Sequence, residues 1–459
     1  MKPVFFKSKL WAEAQACLQL GIPLAAAQLS EAATNFVDTV MMGLLGSQVL
    51  AAGALGAITF ATLMLIGTGI VSAVGAIAAV AFGEENLDRV RCVANQGLWL
   101  GAAFSLPIVL LIWNLGSILR QLGQDPNTVA LAETYLRAIA WGYPAAIAFA
   151  VLKNVVSALN RPNVFMAIAI GGVLLNGVGN YVLMFGKFGF PALGLAGIGW
   201  ASTLSFWARL IAVVGFIQLN KDFKRYDIFR HWYRFEVKTF GELVQIGWPI
   251  GVLFTVESGL FTATAYLMGY LGTVTLAAHQ IAIQTAAITY MVPVGISYAT
   301  TMRVGQMKGR NDPIGAQRAG FVGIALGAIF MGTMALIMWT FPKTIVAMYL
   351  DVNNPANAQV VNVAIALLGI AAMFQLFDGI QVIAAGALRG LKDTRIPMLI
   401  GFLSYWCVGF GGGYLMGLRL GWGGVGLWLG LVLGLATASM VLTWRFHTLI
   451  SPLVSRLNC

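Results

Sequence analysis

Charged residues are scarce in this sequence: Asp, Glu, Lys and Arg together make up only 10% of its 459 residues. A soluble domain carries about 25% charged residues, because its surface faces water. Hydrophobic residues make up 59% of this chain instead. The scarcity of charge excludes a water-soluble globule and indicates a polytopic membrane protein.

Residue types that bind metals or form disulfides are also few, with three His and four Cys in the whole chain. The cysteines, Cys17, Cys92, Cys407 and Cys459, show no metal-ligand spacing. None of them falls in an external loop of the topology predicted below, so we expect no disulfide. The motif GxxxxGK[ST] does not occur, which indicates that the chain carries no ATP-driven motor of its own.

His279 is the only histidine at membrane depth, and no paired ligands accompany it. An enzyme embedded in the membrane would need a metal cluster there, or a nucleophile with its base. We interpret His279 as a packing or hydrogen-bonding residue. We therefore expect neither enzymatic activity nor a cofactor.

Positive charge is unevenly distributed along the chain, whose net charge is +11. With a cytoplasmic N-terminus, the inside segments hold 21 Lys and Arg residues and the outside loops hold 4. This asymmetry predicts a multi-pass protein of the cell inner (plasma) membrane with both termini in the cytoplasm. Membrane lipid then accounts for the basic charge, and we expect no nucleic-acid partner. The basic, aromatic segment from 220 to 242 is interpreted as an amphipathic cytoplasmic connector.

Twelve apolar segments are long enough to cross a membrane at about 1.5 Å per helical residue. Their approximate bounds are 15 to 42, 49 to 82, 92 to 119, 129 to 158, 164 to 186, 193 to 219, 243 to 270, 274 to 302, 315 to 341, 356 to 388, 396 to 418 and 422 to 447.

The chain contains an internal repeat with an offset of 226 positions. The matching pairs are Gln19 and Gln245, Gly21 and Gly247, Pro23 and Pro249, Glu31 and Glu257, Met42 and Met268, Gly46 and Gly272, Ala51 and Ala277, and Ala52 and Ala278. Six spans per half is an even number, so the two halves run parallel. We predict an all-α fold of 12 transmembrane helices in two six-helix lobes, residues 1–219 and 243–459, with a cleft between them.

Four carboxylates lie well inside the predicted spans: Glu31, Asp38, Glu257 and Asp378. An acid at the centre of a membrane helix costs roughly 2.5 to 3.5 kcal/mol, and such residues usually face a cavity where they bind ions or protons. The alternative is that a neighbouring helix merely neutralises each acid. Two amides one helical turn apart, Asn176 and Asn180, could bind a cation or Asp38, or could join helices.

Four motifs resemble the multidrug and toxic compound extrusion (MATE) family, in its NorM-like branch. They are FVDTVMMG (Phe36 to Gly43), FTVESGLF (Phe254 to Phe261), LAAHQIAI (Leu276 to Ile283) and FDGIQVIAAGALRGLKDT (Phe377 to Thr394). The resemblance implies a 12-helix antiporter that exports organic, often cationic, compounds and drugs in exchange for Na⁺ or H⁺. We expect it to function as a monomer.

The resemblance also assigns residues to sites. Glu257 and Asp378 correspond to the C-terminal lobe's cation site, where Na⁺ could bind, and Asp38, Asn176 and Asn180 correspond to the N-terminal lobe's site. Glu31 stands where relatives carry glutamine, and Asn180 stands where archaeal relatives carry aspartate. We count Glu31 among the coupling residues, and we expect a substrate cavity to be lined by Asp38, Gln280, Gln284 and Tyr266.

The alternative function is a lipid-intermediate flippase on the same superfamily fold. The resemblance implies extra helices and a cationic cavity for such a protein. This chain has twelve predicted spans, and its buried charges are predicted to be acidic. The choice between Na⁺ and H⁺ remains open.

Overall fold

The computed structural model describes residues 2–121, 123–230 and 232–455, with side chains from Lys9 onwards. Arg456 and Cys459 lie outside the described residues, as do the side chains of Lys2 and Lys7. Every regular element in the described part of the chain is helical.

The first nine helices cover the chain as far as the basic linker. They are α1 (Lys2–Leu44), α2 (Ser47–Val71), α3 (Ala73–Gly83), α4 (Leu87–Gln121), α5 (Pro126–Ala140), α6 (Tyr143–Ala158), α7 (Asn163–Phe185), α8 (Leu195–Leu219) and α9 (Lys221–Lys224).

The remaining helices are α10 (Val237–Tyr270), α11 (Thr273–Gly309), α12 (Pro313–Thr340), α13 (Pro342–Ala347), α14 (Ala358–Gly390), α15 (Arg395–Phe402), α16 (Gly411–Tyr414) and α17 (Gly423–Ser455). A 3₁₀ turn, Pro355–Asn357, precedes α14. Two π-helical segments, Leu403–Phe410 and Leu415–Arg419, flank α16 and complete one continuous span with α15.

The predicted apolar segments coincide with these helices. Within the described residues, ten helices are long and apolar enough to cross a membrane, and α5 and α6 are so only when taken together, as a pair bent by 46°. Pro144 lies in the first turn of α6, where proline is tolerated. The first predicted span falls on α1, whose polar residues lower its hydropathy. The prediction of an all-α polytopic membrane protein is confirmed.

The chain forms two compact units. Unit 1 contains Met1–Ala25 and Val252–Cys459, and unit 2 contains Ala26–Gly251. The boundaries after Ala25 and Gly251 are 226 positions apart, so they fall at equivalent points of the repeat, within α1 and α10. The division into lobes at residues 219 and 243 stays a prediction from the sequence.

Two glycines of the repeat have the same structural role. Gly46 precedes α2 with φ 107°, and Gly272 precedes α11 with φ 121°. A residue with a Cβ rarely adopts these angles, so glycine is required at both points where the chain reverses between two helices. The repeat is therefore visible in the backbone as well as in the sequence.

The basic linker is bound along α4 in unit 2. Asn95 Nδ2 donates to the carbonyl of Arg230 at 3.2 Å, and Gln96 Nε2 donates to that of Arg234 at 2.8 Å. Trp99 Nε1 donates to the Trp232 carbonyl at 2.9 Å. Side chains of α4 thus satisfy three backbone carbonyls of the described linker residues.

Glycines of α17 pack directly against the π-containing span in unit 1. Small residues at four-residue intervals let two helix backbones approach closely. They are Gly409, Gly413 and Gly417 on one side and Gly426, Gly430 and Gly434 on the other.

We expect Gly430→Ala to destabilise the protein by about 1 to 3 kcal/mol, because the new Cβ would collide with the Gly413 backbone, which cannot move aside as a side chain can. Gly332→Ala in α12 is the matched control, since nothing lies within 4 Å of its Cβ position. Thermal unfolding in detergent measures both. Equal stability of the two variants would contradict this packing.

Candidate functional site

Unit 1 brings two carboxylates together around one glutamine. Glu257 lies on α10, and Asp378 lies on α14. Gln381, one turn after Asp378, donates from Nε2 to Glu257 Oε1 at 3.1 Å and to Asp378 Oδ1 at 3.3 Å. The exposed fractions of Glu257, Asp378 and Gln381 are 9%, 4% and 2%. The amide therefore links two acids that water scarcely reaches.

Two tyrosines complete this cluster. Tyr290 of α11 donates its hydroxyl to Glu257 Oε1 at 3.4 Å. Tyr405 donates its hydroxyl to Gln381 Oε1 at 2.7 Å, which fixes the orientation of the amide. The four side chains around Glu257 thus come from α11, α14 and the π-helical segment.

Basic side chains do not compensate these two acids within the described part of the chain. Within the described residues, neither Glu257 nor Asp378 forms an ion pair. In the same part of the chain, no three His, Cys, Asp or Glu side chains converge as a metal centre would need. The cluster instead offers two carboxylates and two hydroxyls, which suits a proton or a small hard cation that takes oxygen ligands.

Unit 2 surrounds Asp38 with neutral donors. Asn180 Nδ2 donates to Asp38 Oδ1 at 2.6 Å, and Ser202 Oγ donates to Asp38 Oδ2 at 3.2 Å. Asn176 Nδ2 donates to Ser202 Oγ at 3.0 Å, and its Oδ1 accepts from Asn180 at 3.2 Å. The structure therefore brings Asp38, Asn176 and Asn180 into one network, with Ser202 as a fourth member.

Glu31 lies apart from that network, two helical turns before Asp38 on α1. Its Oε1 is 3.8 Å from Nζ of Lys153 on α6. A second cation, Arg209 of α8, is only 5% exposed and donates from Nη2 to Thr34 Oγ1 at 3.3 Å.

The prediction that the buried charges are acidic is therefore wrong. Unit 2 buries Arg209, and unit 1 buries Arg389, which is 3% exposed. Arg389 lies over the rings of Phe254 and Tyr298 at 5.8 Å from each centroid. Aromatic faces and long aliphatic stems allow such cations inside a membrane helix, so a span can contain arginine without losing its apolar character.

The residues expected to line a substrate cavity differ in their exposure. Gln280 and Gln284 are exposed one turn apart on α11, and Tyr266 of α10 is 78% exposed. Asp38, by contrast, is 6% exposed. Within the described residues, none of the three exposed side chains is hydrogen-bonded to Glu257 or Asp378. The cavity lining stays a prediction.

Sequence reasoning missed four members of the two clusters and the two cations near Glu31 and Thr34: Gln381, Tyr290, Tyr405 and Ser202, and Lys153 and Arg209. Only Gln381 had a local signal, since it follows Asp378 by three residues on one helix face. His279 packs edge-on against Trp428, with ring centroids 5.7 Å apart.

A family model and several known proteins of one description match this chain. Residues 23–182 and 249–415 match the family model MatE. A probable multidrug resistance protein NorM from Synechococcus sp. is 42% identical over 435 residues, covering 95% of this chain and 94% of the relative. A protein of the same description from Pseudomonas aeruginosa is 43% identical over 435 residues, covering 95% and 89%.

Solved structures share the fold. A crystal structure described as MATE in the bent conformation superposes with a TM-score of 0.88 at 18% identity, covering 98% of this chain and 99% of that one. The eukaryotic MATE transporter AtDTX14 gives 0.84 at 17% identity, with the same coverage of 98% and 99%.

Proposed function

The chain belongs to the MatE family, in its NorM-like branch, and on this premise we propose that it exports organic cations in exchange for sodium ions or protons. The relatives' description as multidrug resistance proteins supports export of drugs. The asymmetry of basic residues supports a plasma-membrane location with both termini in the cytoplasm.

The observation that carries the proposal is the Glu257–Gln381–Asp378 cluster. Two buried carboxylates linked by one amide and compensated by no basic side chain among the described residues are costly to ionise together. A bound proton or sodium ion removes that cost. The cluster can therefore hold the coupling ion and release it when the surroundings change.

Asp38 is the second coupling residue in this proposal. Asn180 and Ser202 donate one hydrogen bond to each of its two oxygens, so neutral groups solvate the carboxylate directly. This arrangement lets Asp38 accept a proton or cation while its position stays fixed. Alternating access then exposes the loaded acids to one side of the membrane at a time.

Competition between ion and substrate tests the proposal in purified protein. We expect the affinity for a cationic dye to fall by about 5- to 150-fold as sodium concentration or acidity rises, because coupling between two ligands is reciprocal. In the Glu257→Gln variant, sodium ions or protons should lower the dye affinity by a smaller factor. A dye affinity that stays flat in both titrations, in protein that still transports, would contradict direct competition.

A further inference from the structure

Glu31 and Asp38 lie on one face of α1, and two side chains of α8 contact that face. Thr34 follows Glu31 by three residues and precedes Asp38 by four, so all three share one helix face. On α8, Ser202 donates to Asp38 and Arg209 donates to Thr34. Arg209 therefore lies along the same face, between the two carboxylates.

Arg209 is held in place by a specific site. A Cβ on Gly172 of α7 would collide with the Arg209 guanidinium, so the glycine makes room for it. The guanidinium carbon lies 5.9 Å from the ring centroid of Phe206. Its Nε has no hydrogen-bond partner among the described residues. Arg209 is thus a fixed positive charge of the unit.

Lys153 is a different kind of cation, because its ammonium is carried by a flexible four-carbon stem. The Lys153 side chain is 13% exposed, whereas that of Glu31 is 46% exposed. Their separation of 3.8 Å is at the outer limit of an ion pair. A long contact made by a flexible side chain is one that a competing cation can replace.

Glu31 borders a polar stripe on α1. Asn35 and Thr39 are exposed, and Gln28 is half-buried, at spacings that follow one side of the helix. Exposed polar residues within a membrane span usually face a water-filled cavity. Glu31 is therefore accessible to a solute from the aqueous side, while Lys153 approaches it from the protein interior.

We propose that Glu31 recognises the positively charged group of the exported compound, and that Lys153 is the tethered cation which this group displaces. The ligand class is a singly charged organic ammonium ion. A small inorganic cation fits less well, because it needs several oxygen ligands and Glu31 provides one carboxylate beside the cations Lys153 and Arg209. This proposal rests on the proposed function and assigns it a specificity-determining pair.

The test measures the affinity of purified protein for a monovalent cationic dye at constant pH and sodium concentration. Lys153→Met should strengthen dye binding about fivefold or more, because the competitor is gone. Glu31→Gln should weaken it by a similar factor, because the recognising charge is lost and Lys153 then repels the dye. Lys153→Arg keeps the charge and should stay near the wild type.

Two controls separate this effect from general ones. Lys187→Met removes an exposed positive charge from the loop after α7 and should leave dye binding unchanged. An uncharged dye of similar size should bind all variants equally. Should Glu31→Gln fold poorly, the double variant Glu31→Gln/Lys153→Met removes both charges and should bind the dye less well than Lys153→Met alone.

The outcomes also distinguish this proposal from the function on which it rests. If Lys153→Met and Glu31→Gln change dye affinity in the same direction, or not at all, in protein that exports the dye, this pair has no recognition role and the proposal is overturned. Wild-type protein that neither binds nor exports any organic cation would overturn the proposed function. Glu31 would then have no organic cation to recognise.

Discussion

Replacing Glu257 by Gln, or Asp378 by Asn, is expected to reduce transport strongly while leaving the folded protein abundant in the membrane. Each substitution keeps the size of the side chain and removes one buried charge. An interaction of about 2 to 3 kcal/mol with the coupling ion, once lost, corresponds to about 30- to 160-fold weaker ion binding. Transport driven by that ion should fall by a similar factor.

An exposed acid provides the control. The Asp88 side chain is 88% exposed, and Asp88→Asn should transport like the wild type. Efflux assays in cells, with membrane protein quantified in parallel, compare the three variants. Full efflux from Glu257→Gln/Asp378→Asn would show that the unit 1 cluster does not hold the coupling ion.

The second large effect is expected for stability, at a buried ion pair within unit 1. Arg303 of α11 donates from Nε to Glu13 Oε1 and from Nη2 to Glu13 Oε2, both at 2.8 Å. Their side chains are 13% and 6% exposed. Arg303→Met leaves Glu13 buried without its partner, which should cost about 3 to 5 kcal/mol.

Thermal unfolding in detergent measures this cost. Arg161→Met is the control, because the Arg161–Asp222 pair is 62% and 59% exposed and should be worth about 0.2 to 1 kcal/mol. Glu13→Leu/Arg303→Met replaces the whole pair with apolar side chains and should recover most of the loss. If Arg303→Met unfolds at the wild-type temperature, the pair does not stabilise α1 against α11.

The helical architecture was accessible from the sequence because the membrane imposes a simple rule. Backbone groups in lipid must be satisfied within the segment, so long apolar segments become helices. The repeat was visible for a similar reason. Gly46 and Gly272 are required by the same left-handed backbone turn, and that requirement preserves identity at both positions.

The carboxylates were also accessible, because an acid within an apolar span is costly and therefore conspicuous. The side chains that contact these carboxylates could not be predicted from the sequence. Lys153 and Arg209 meet the α1 face only through the relative rotation of three helices, which one-dimensional spacing does not determine. Tyr405 reaches Gln381 from a π-helical segment, whose register differs from that of an α-helix.

Exchange in reconstituted vesicles tests the central claim most directly. Purified protein is placed in proteoliposomes loaded with a cationic dye, and dye movement is followed under an imposed sodium gradient, an imposed pH gradient and no gradient. We predict that at least one gradient drives the dye against its own concentration difference in the wild type, and that Glu257→Gln/Asp378→Asn loses this movement. Dye that moves only down its own gradient under all three conditions, or a double variant that equals the wild type, would contradict the account.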